Sequence, residues 1–484
     1  MINVISFCLW GNEPRYCVGL VKNIELSKKY YQGWECWCYI HEPSVDKDFI
    51  NNLKNYDNVK VILKNNLHIR TLRFMLWRIE PILNPGVEYL ISRDTDTRIQ
   101  PREVLAVQEW LNSRKSLHIM RDHFQHYAKI LGGMFGIKNN EELYNINWIY
   151  KIEYFYKEKG EDENDQHFLE QTLYKMYEKD RIIHDEIKLY EGKECKQYPI
   201  PLERNGNFVG CYIYEDDSNN KDNANSLLHY VNYMIPNRLS KYMETYEEQL
   251  EFISTFFKDI YIMHYTKLVD RKKSMETQLK NMLFYNFFNI HWVDQFDREV
   301  ITQEMVNNNY KYDPEVLGRP ITLPEIANGI AHIHIIESVT NIGLILEDDT
   351  IFKQDFVHHL YGILKKLPSD WEIICLGGPT EEGVYPNNTI PGSIRTEFES
   401  HEIVLIKPES RAIQTMSCFL INKKGRDKLL SSKYFKPMFS GPIDLIAWFA
   451  AMEKELELYW VQPWISYEGS KVKDKFMTTM ERGF

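Results

Sequence analysis

The stretch Ile91–Arg98 reads ISRDTDTR, and its two aspartates, Asp94 and Asp96, are of a type and spacing that can do chemistry. They follow an apolar run, Val87–Ser92, that reads as a buried strand. Side chains spaced by two along a strand share a face, so both carboxylates converge on one small volume and Thr95 turns away. Such a pair repels itself, and a bare one tends to hold a proton. A divalent cation removes the conflict, because Mg²⁺ and Mn²⁺ take oxygen ligands and bridge carboxylates to phosphates. Arg93 and Arg98 flank the pair. Arg93, Asp94 and Asp96 thus form an expected diphosphate-binding set, with Asp94 and Asp96 on the metal. The competing reading is a solvated turn whose aspartates cap the helix starting near Pro101.

A second acidic knot closes the run Ile342–Asp349, IGLILEDD. If the strand continues, Glu347 and Asp349 share a face and Asp348 takes the other. Two strand-end clusters in one chain point to two similar catalytic domains. Between them lie further candidates. Leu131–Gly136 carries three glycines that let backbone approach a ligand, or that make a tight bend. Asp165-Gln166 opens a helical run through Tyr177, placed either to hold sugar hydroxyls or to cap the helix; Asp165 is taken as a candidate catalytic carboxylate. His184-Asp185 ends a short apolar run, and a neutral imidazole there is either a third metal ligand or a structural histidine.

These residues need a scaffold, and the pattern supplies one. The strand-like runs are Asn3–Leu9, Glu35–Ile40, Val59–Leu63, Val87–Ser92 and Leu117–Met120. They alternate with helical runs at Tyr16–Tyr31, Thr71–Leu83 and Pro101–Leu111. Alternation of this kind builds a mainly parallel sheet with helices on both faces, whose ligands bind beyond the carboxyl ends of the strands. Glu215–Asn225, rich in Asp and Asn, reads as a linker, and Ser226–Lys258 as a helical connector. The pattern restarts at Asp259–His264. Further strands are expected at Asn289–Val293, Ile342–Asp349, Trp371–Leu376, Met416–Ile421 and Leu458–Val461, and helices at Leu323–Thr340, Asp355–Leu367 and Pro442–Lys454. The expected domains are 1–215 and 259–484, joined by 216–258. The loop-rich Gly377–Pro408 segment is either a lid or a surface excursion.

At 484 residues the chain exceeds one ordinary core. A net charge of −11 argues against broad nucleic-acid binding. Eight cysteines occur without a CxxC pair, which disfavours a zinc cluster and fits a reducing, cytoplasmic setting. Met1–Trp10 lacks the basic lead of a secretory signal, and no run of about 20 apolar residues suggests a membrane span.

In the second half, Gly318–Thr322, Glu325-Ile326, His332 and Leu346–Asp349 fall in one order with Asp370–Glu372, Leu376-Gly377, Phe419–Ile421, Gly425, Lys428–Leu430 and Pro442–Asp444. This series, within roughly Ile260–Ser470, resembles glycosyltransferase family 25, which holds lipopolysaccharide and procollagen galactosyltransferases. The resemblance implies a GT-A-type fold, a nucleotide-sugar donor and usually Mn²⁺. Carried over by position, Glu347, Asp348 and Asp349 are the donor cluster, with Asp349 on the metal. Asp444 is the acceptor-side acid, and Arg271 matches an arginine just after the first strand. The chain departs from the family pattern at His264-Tyr265, where an Asn-Leu pair is usual, and at Gly329–His332. The first half resembles another GT-A-type group found in bacteria and large viruses, through Ser92–Asp96, Met120–His123, Gly132–Gly136, Asp165-Gln166 and His184-Asp185.

The sequence therefore leads to an α/β chain of two tandem GT-A-like, Rossmann-like domains. The expected activity moves galactose or glucose from a UDP-sugar, with Mn²⁺ or Mg²⁺, to a hydroxyl. The expected acceptor is hydroxylysine of a collagen-like protein or a surface glycan, and the expected assembly a homodimer. The alternatives are a metal-dependent nucleotidyltransferase and a carbohydrate-binding scaffold with one decayed domain.

Overall fold

The computed structural model describes residues 1–65, 71–160, 163–188, 192–379, 404–407 and 415–471. The chain divides into two compact units, Met1–Thr245 and Tyr246–Phe484. The first is built on β1 (Ile2–Leu9), β2 (Trp34–His41), β3 (Val59–Lys64), β4 (Val87–Arg93), β5 (Leu117–Arg121), β6 (Met134–Lys138) and β7 (Arg181–Asp185). They form one sheet in the order β3-β2-β1-β4-β6-β5-β7. β1, β4 and β5 are almost wholly buried, as expected for strands covered on both faces. Asn3–Leu9 of β1 pairs with Trp34–Ile40 on one side, and β1 pairs in parallel with β4 on the other.

The second unit carries β8 (Asp259–Met263), β9 (Asn289–Val293), β10 (Ile342–Glu347), β11 (Thr350–Phe352), β12 (Ile373–Cys375), β13 (Gly377–Gly378), β14 (Val404–Ile406), β15 (Cys418–Asn422), β16 (Leu458–Gln462) and β17 (Ser466–Glu468). Its main sheet runs β14-β16-β12-β15-β10-β8-β9, and β11-β17-β13 make a small second sheet.

The two main sheets share one path. From β2 the first runs β2-β1-β4-β6-β5-β7, and from β9 the second runs β9-β8-β10-β15-β12-β16. In both, the six strands follow the same sequence order. The pairings along the path are also the same: parallel, parallel, antiparallel, antiparallel, parallel. β3 extends one edge of the first sheet and β14 the opposite edge of the second. Both sheets are mainly parallel, as expected, save for one reversed strand beside the acidic strand and, in the second sheet, the edge strand β14. The consequence is local. β6 starts where β4 ends, and β15 starts where β10 ends, so residues before each reversed strand meet the acid.

The local signals act as read, with instructive exceptions. The helix Pro14–Tyr30 opens on proline and buries Gly19, Leu20, Asn23, Ile24, Ser27 and Tyr30. Thr71–Leu83 is a 3₁₀ helix that runs through Pro81. The helix at Asp165–Leu169 passes into a π turn, Glu170–Tyr174. The expected linker is a correction. Asn220 caps the helix Lys221–Met234, whose Leu227 and Val231 pack with Leu202, Phe208, Cys211 and Ile213 in the first unit's own satellite core. A polar stretch read as a boundary is a turn and a cap, and the division lies later, at Thr245/Tyr246. The eight cysteines are free thiols, all buried but Cys17. Among the described residues no helix is long and apolar enough to cross a membrane. The suggested Gly377–Pro408 lid lies largely outside the described residues.

Candidate active sites

Each sheet turns direction where its first strand lies beside its acidic strand, β1 against β4 and β8 against β10. Crevices at such points, beyond the carboxyl ends, are where open α/β sheets bind ligands.

In the first unit, β4 ends at Arg93, and Asp94–Thr97 form the turn that follows. The helix Pro14–Tyr30 clamps this turn. Asn23 donates through Nδ2 to the Thr97 carbonyl at 2.7 Å and accepts from Ile99 N–H at 2.9 Å. Gly19 is needed there, since a Cβ would stand 2.0 Å from the Thr95 carbonyl oxygen. Asp94 and Asp96 lie close enough to interact. Burial first, then the Asp94 charge, raises the Asp96 carboxyl to about 6. Arg78, from the 3₁₀ helix, is buried between two acids. It donates to Asp94 through Nη1 and to Asp165 Oδ2 through Nη2, the latter at 2.8 Å. The glycines before β6 make room for this triad. A Cβ on Gly132 would meet Asp165 Oδ2 at 1.9 Å, and one on Gly133 would meet Asp94 Oδ2 at 2.0 Å. The glycine turn therefore admits carboxylates, where close approach to a ligand was one expectation.

Two sequence expectations fail geometrically. Arg93 points away from the aspartates and pairs with Glu103 at 3.1 Å, both side chains fully buried. The alternation that aims Asp94 at the crevice aims its neighbour at the core. His184 is not beside Asp94 and Asp96. Its ring is enclosed between His118 Nε2 at 2.9 Å and Glu109 Oε2 at 3.2 Å, and burial lowers both imidazole pKa values. Met120–His123 is also structural. Arg121 pairs with Asp185, Asp122 with Arg102, and His123 contacts the Asn223 carbonyl.

In the second unit, Arg271, Glu347, Asp348, Asp349 and Asp444 all line one cavity of about 340 Å³, with His264, Asn328, Thr415 and Glu468. β10 stops at Glu347, so Asp348 and Asp349 sit on a turn and do not alternate as strand residues. Asp348 accepts from Arg271 Nη1 at 3.0 Å, meets His264 Nδ1 at 2.8 Å and accepts from Tyr265 N–H at 3.3 Å. His264, the departure from the family pair, thus anchors the acidic turn. Arg271 also stands 3.6 Å from Asp349. The helix Leu323–Ser338 brings His332 Nε2 to 3.0 Å and Asn328 Nδ2 to 3.4 Å from Glu347 Oε1. Burial, then Asp349 and Glu468, pushes the Glu347 carboxyl up to about 8. Asp349 is likewise raised, chiefly by burial, and its buried Oδ1 has no hydrogen-bond partner. Asp444, on the first turn of the helix Ile443–Glu453, accepts from Met416 N–H at 3.0 Å.

Residues 257–446 match the family described as "Glycosyltransferase family 25 (LPS biosynthesis protein)". That match lies within the second unit. The cavity lining lies within the matched residues save for Glu468 and Ser470. No curated protein sequence matches the chain. Among solved structures, similarity extends to 4-diphosphocytidyl-2C-methyl-D-erythritol synthase from Anaerococcus prevotii, at 10% identity over 38% of this chain and 87% of that one, TM-score 0.27. It extends also to galactosyltransferase LgtC in complex with donor and acceptor sugar analogs, at 12% identity over 38% and 73%, TM-score 0.28. The apo glycosyltransferase GlyE of Streptococcus pneumoniae matches at 9% identity over 65% and 85%, TM-score 0.31. Scores this low leave the fold of each unit to its strand order.

Sequence reasoning missed Arg78, Asn328, Thr415 and Glu468. Arg78 sits in an apolar run, LWRIE, where a lone buried cation signals a buried acid partner. Nothing in the local sequence marks the other three.

Proposed function

We propose that the chain is a two-site, metal-dependent hexosyltransferase moving galactose or glucose from a UDP-sugar to an acceptor hydroxyl. The observation that carries this reading is the convergence of Arg271, Glu347, Asp348, Asp349 and Asp444 on one cavity at the carboxyl ends of β8 and β10. The first unit repeats the layout with Asp94, Asp96 and Asp165 at corresponding places in the strand path.

The residues fit a hard divalent cation. Among the described residues no group of three or more His, Cys, Asp or Glu is arranged as a finished metal site. The partnerless Asp349 Oδ1, beside a carboxyl that burial and its acidic neighbours raise to about 8, is nonetheless a position short of positive charge. Asp349 would hold Mn²⁺ or Mg²⁺ in the second unit, and Asp94 with Asp96 in the first, the donor diphosphate supplying further oxygens. When bound, the metal supplies charge stabilisation for the departing nucleoside diphosphate. Arg271 holds Asp348 and Asp349 in place and adds positive charge beside the leaving group. Asp444, fixed by the Met416 amide, faces the cavity as the group to take the acceptor hydroxyl's proton. In the first unit Asp165 is bound to Arg78, which suits it to holding Asp94's partner in place better than to proton transfer. The surplus of carboxylates suits an acceptor with its own positive charge, such as hydroxylysine of a collagen-like chain. A neutral surface glycan uses less of that charge.

The test is nucleotide release by the purified full chain with Mn²⁺, a panel of UDP-sugars and a hydroxylysine peptide. UDP release that depends on acceptor and metal is expected. Pyrophosphate release would replace this reading with nucleotidyl transfer, and sugar binding without turnover would replace it with a scaffold.

A further inference from the structure

Four cationic side chains other than Arg15 stand near the first unit's acidic turn, and each is committed. Arg78 is bound to Asp94 and Asp165, and Arg93 to Glu103. Arg98 donates to Asp217 and to the Tyr214 carbonyl, and Lys22 pairs with Asp217. Arg15 differs. It lies on the first turn of the helix that follows β1, as Arg271 lies on the helix that follows β8. Its nearest Asp96 oxygen is 3.8 Å away and its nearest Glu13 oxygen 3.9 Å, which are charge contacts beyond hydrogen-bond range. One N–H reaches the Tyr16 hydroxyl, while buried Nε has no partner. Arg271, by contrast, is hydrogen-bonded to Asp348.

What holds Arg15 is aromatic. Its guanidinium carbon stands 4.3 Å from the Tyr16 ring centroid and 4.1 Å from that of Tyr212. Tyr212 is placed by the stretch once expected to border a linker. Ile213 N–H donates to the Asp96 carbonyl at 2.9 Å, and the Tyr214 ring packs edge-on against Tyr212 at 5.0 Å. A guanidinium packed against two rings keeps its plane, and the N–H groups not given to Tyr16 remain to meet an anion. The anion that suits a carboxylate pair with its cation is a diphosphate.

We propose that Arg15, held against Tyr16 and Tyr212, binds the diphosphate of the first unit's nucleotide donor. The proposal rests on the reading that this unit takes a nucleoside-diphosphate sugar. The experiment uses the full chain with the second site silenced by Asp349→Asn, in Mn²⁺, and measures binding of UDP, uridine and inorganic pyrophosphate by calorimetry. Arg15→Met should weaken UDP and pyrophosphate by about tenfold or more and change uridine by less than about twofold, the loss of a charge-assisted hydrogen bond. Arg15→Lys should fall between, and Tyr212→Leu should weaken the same two ligands less. Undiminished UDP binding by Arg15→Met overturns the proposal, as does an equal loss of uridine. Should Arg15→Met fail to fold, Arg15→Lys and Tyr212→Leu decide by the same split between diphosphate and nucleoside. If the unsubstituted first site binds neither UDP nor pyrophosphate, the donor reading itself fails; if it binds them and the Arg15 variants bind them equally well, only the assignment of Arg15 fails.

Discussion

The acid after β4 is held by an arginine, whereas the last residue of β10 is held by a histidine and an asparagine. All three holders come from the helix that precedes the strand. Arg78 is a permanent cation joining Asp94 to Asp165. His332 is buried and drawn down to about 4 by that burial, with Asp444 opposing, so it offers Glu347 a hydrogen bond without a charge. Arg271 serves Asp348 and Asp349 and leaves Glu347 without a cation. One strand path thus carries two electrostatic solutions. The first unit balances its carboxylates internally and brings them within reach through two glycines. The second leaves an excess of acid around an open cavity, which a bound cation or a cationic acceptor would offset.

The sharpest way to break this comparison is to remove one acid from each unit of the full chain. Asp94→Asn should abolish the first unit's turnover and Asp349→Asn the second's, each by about 10²–10³-fold or more, the scale of losing a main electrostatic element. UDP release across a donor panel would read both. Different donor preferences surviving in the two variants would establish two working sites. Complete loss in one variant alone would make the other unit a binding or structural module, and no loss in either would sink the metal-site argument for both.

A smaller effect separates the units by packing. Gly133→Ala places a methyl where Asp94 Oδ2 and the Asp94 amide now lie, at 2.0 and 2.8 Å. The second unit has Thr415 and Met416 before its reversed strand and needs no such space. The expected result is about a tenfold loss in the first unit's turnover with about 1–3 kcal/mol of destabilisation, and an unchanged second unit. Equal loss in both units, or none in the first, would show that the close approach does not set the position of Asp94.

Much of this was legible beforehand. Apolar runs such as INVISFCL and IGLILE marked the strands, because a strand covered on both faces has little room for polar residues. The acids at their ends followed from the same reading. Arg93 was misread because charge was weighed ahead of alternation, although alternation alone sends it to the core. His184 was misread because its partners, His118 and Glu109, are distant in sequence. The linker was misread because Asn and Asp serve a helix cap and a tight turn as well as a solvated tether: Asn220 caps, and Asp217 takes φ 65° while pairing with Lys22 and Arg98. The restart of the pattern at Asp259–His264 announced a second similar domain, but the order of its strands across the sheet had no sequence signal. That order tolerates wide change in the residues that build the strands.

The smallest effect is the most specific to the difference in charge balance, and it concerns stability against pH. Glu347 titrates near 4.5 unfolded and at about 8 in the folded unit. Folded protein therefore binds more protons than unfolded across that window, and stability falls as pH rises through it, by at most about 1.4 kcal/mol per pH unit for one group. The first unit's counterpart, Asp96, moves only from 3.8 to about 6, so its share is spent by about pH 6. Between pH 6 and 8 the second unit should thus lose stability through Glu347, whereas the first should lose none through Asp96. Calorimetric unfolding of the full chain, with each transition assigned by Glu347→Gln and Asp96→Asn, would follow the two separately. Glu347→Gln should flatten the second unit's profile between pH 5 and 8, and Asp96→Asn should flatten the first's only at lower pH. Added Mn²⁺ should oppose the loss in the second unit, since a cation supplies the charge that His332 does not. A second-unit profile that stays level from pH 6 to 8, or one that Glu347→Gln leaves unchanged, would mean that Glu347 is compensated after all and that the two sites balance their acids alike.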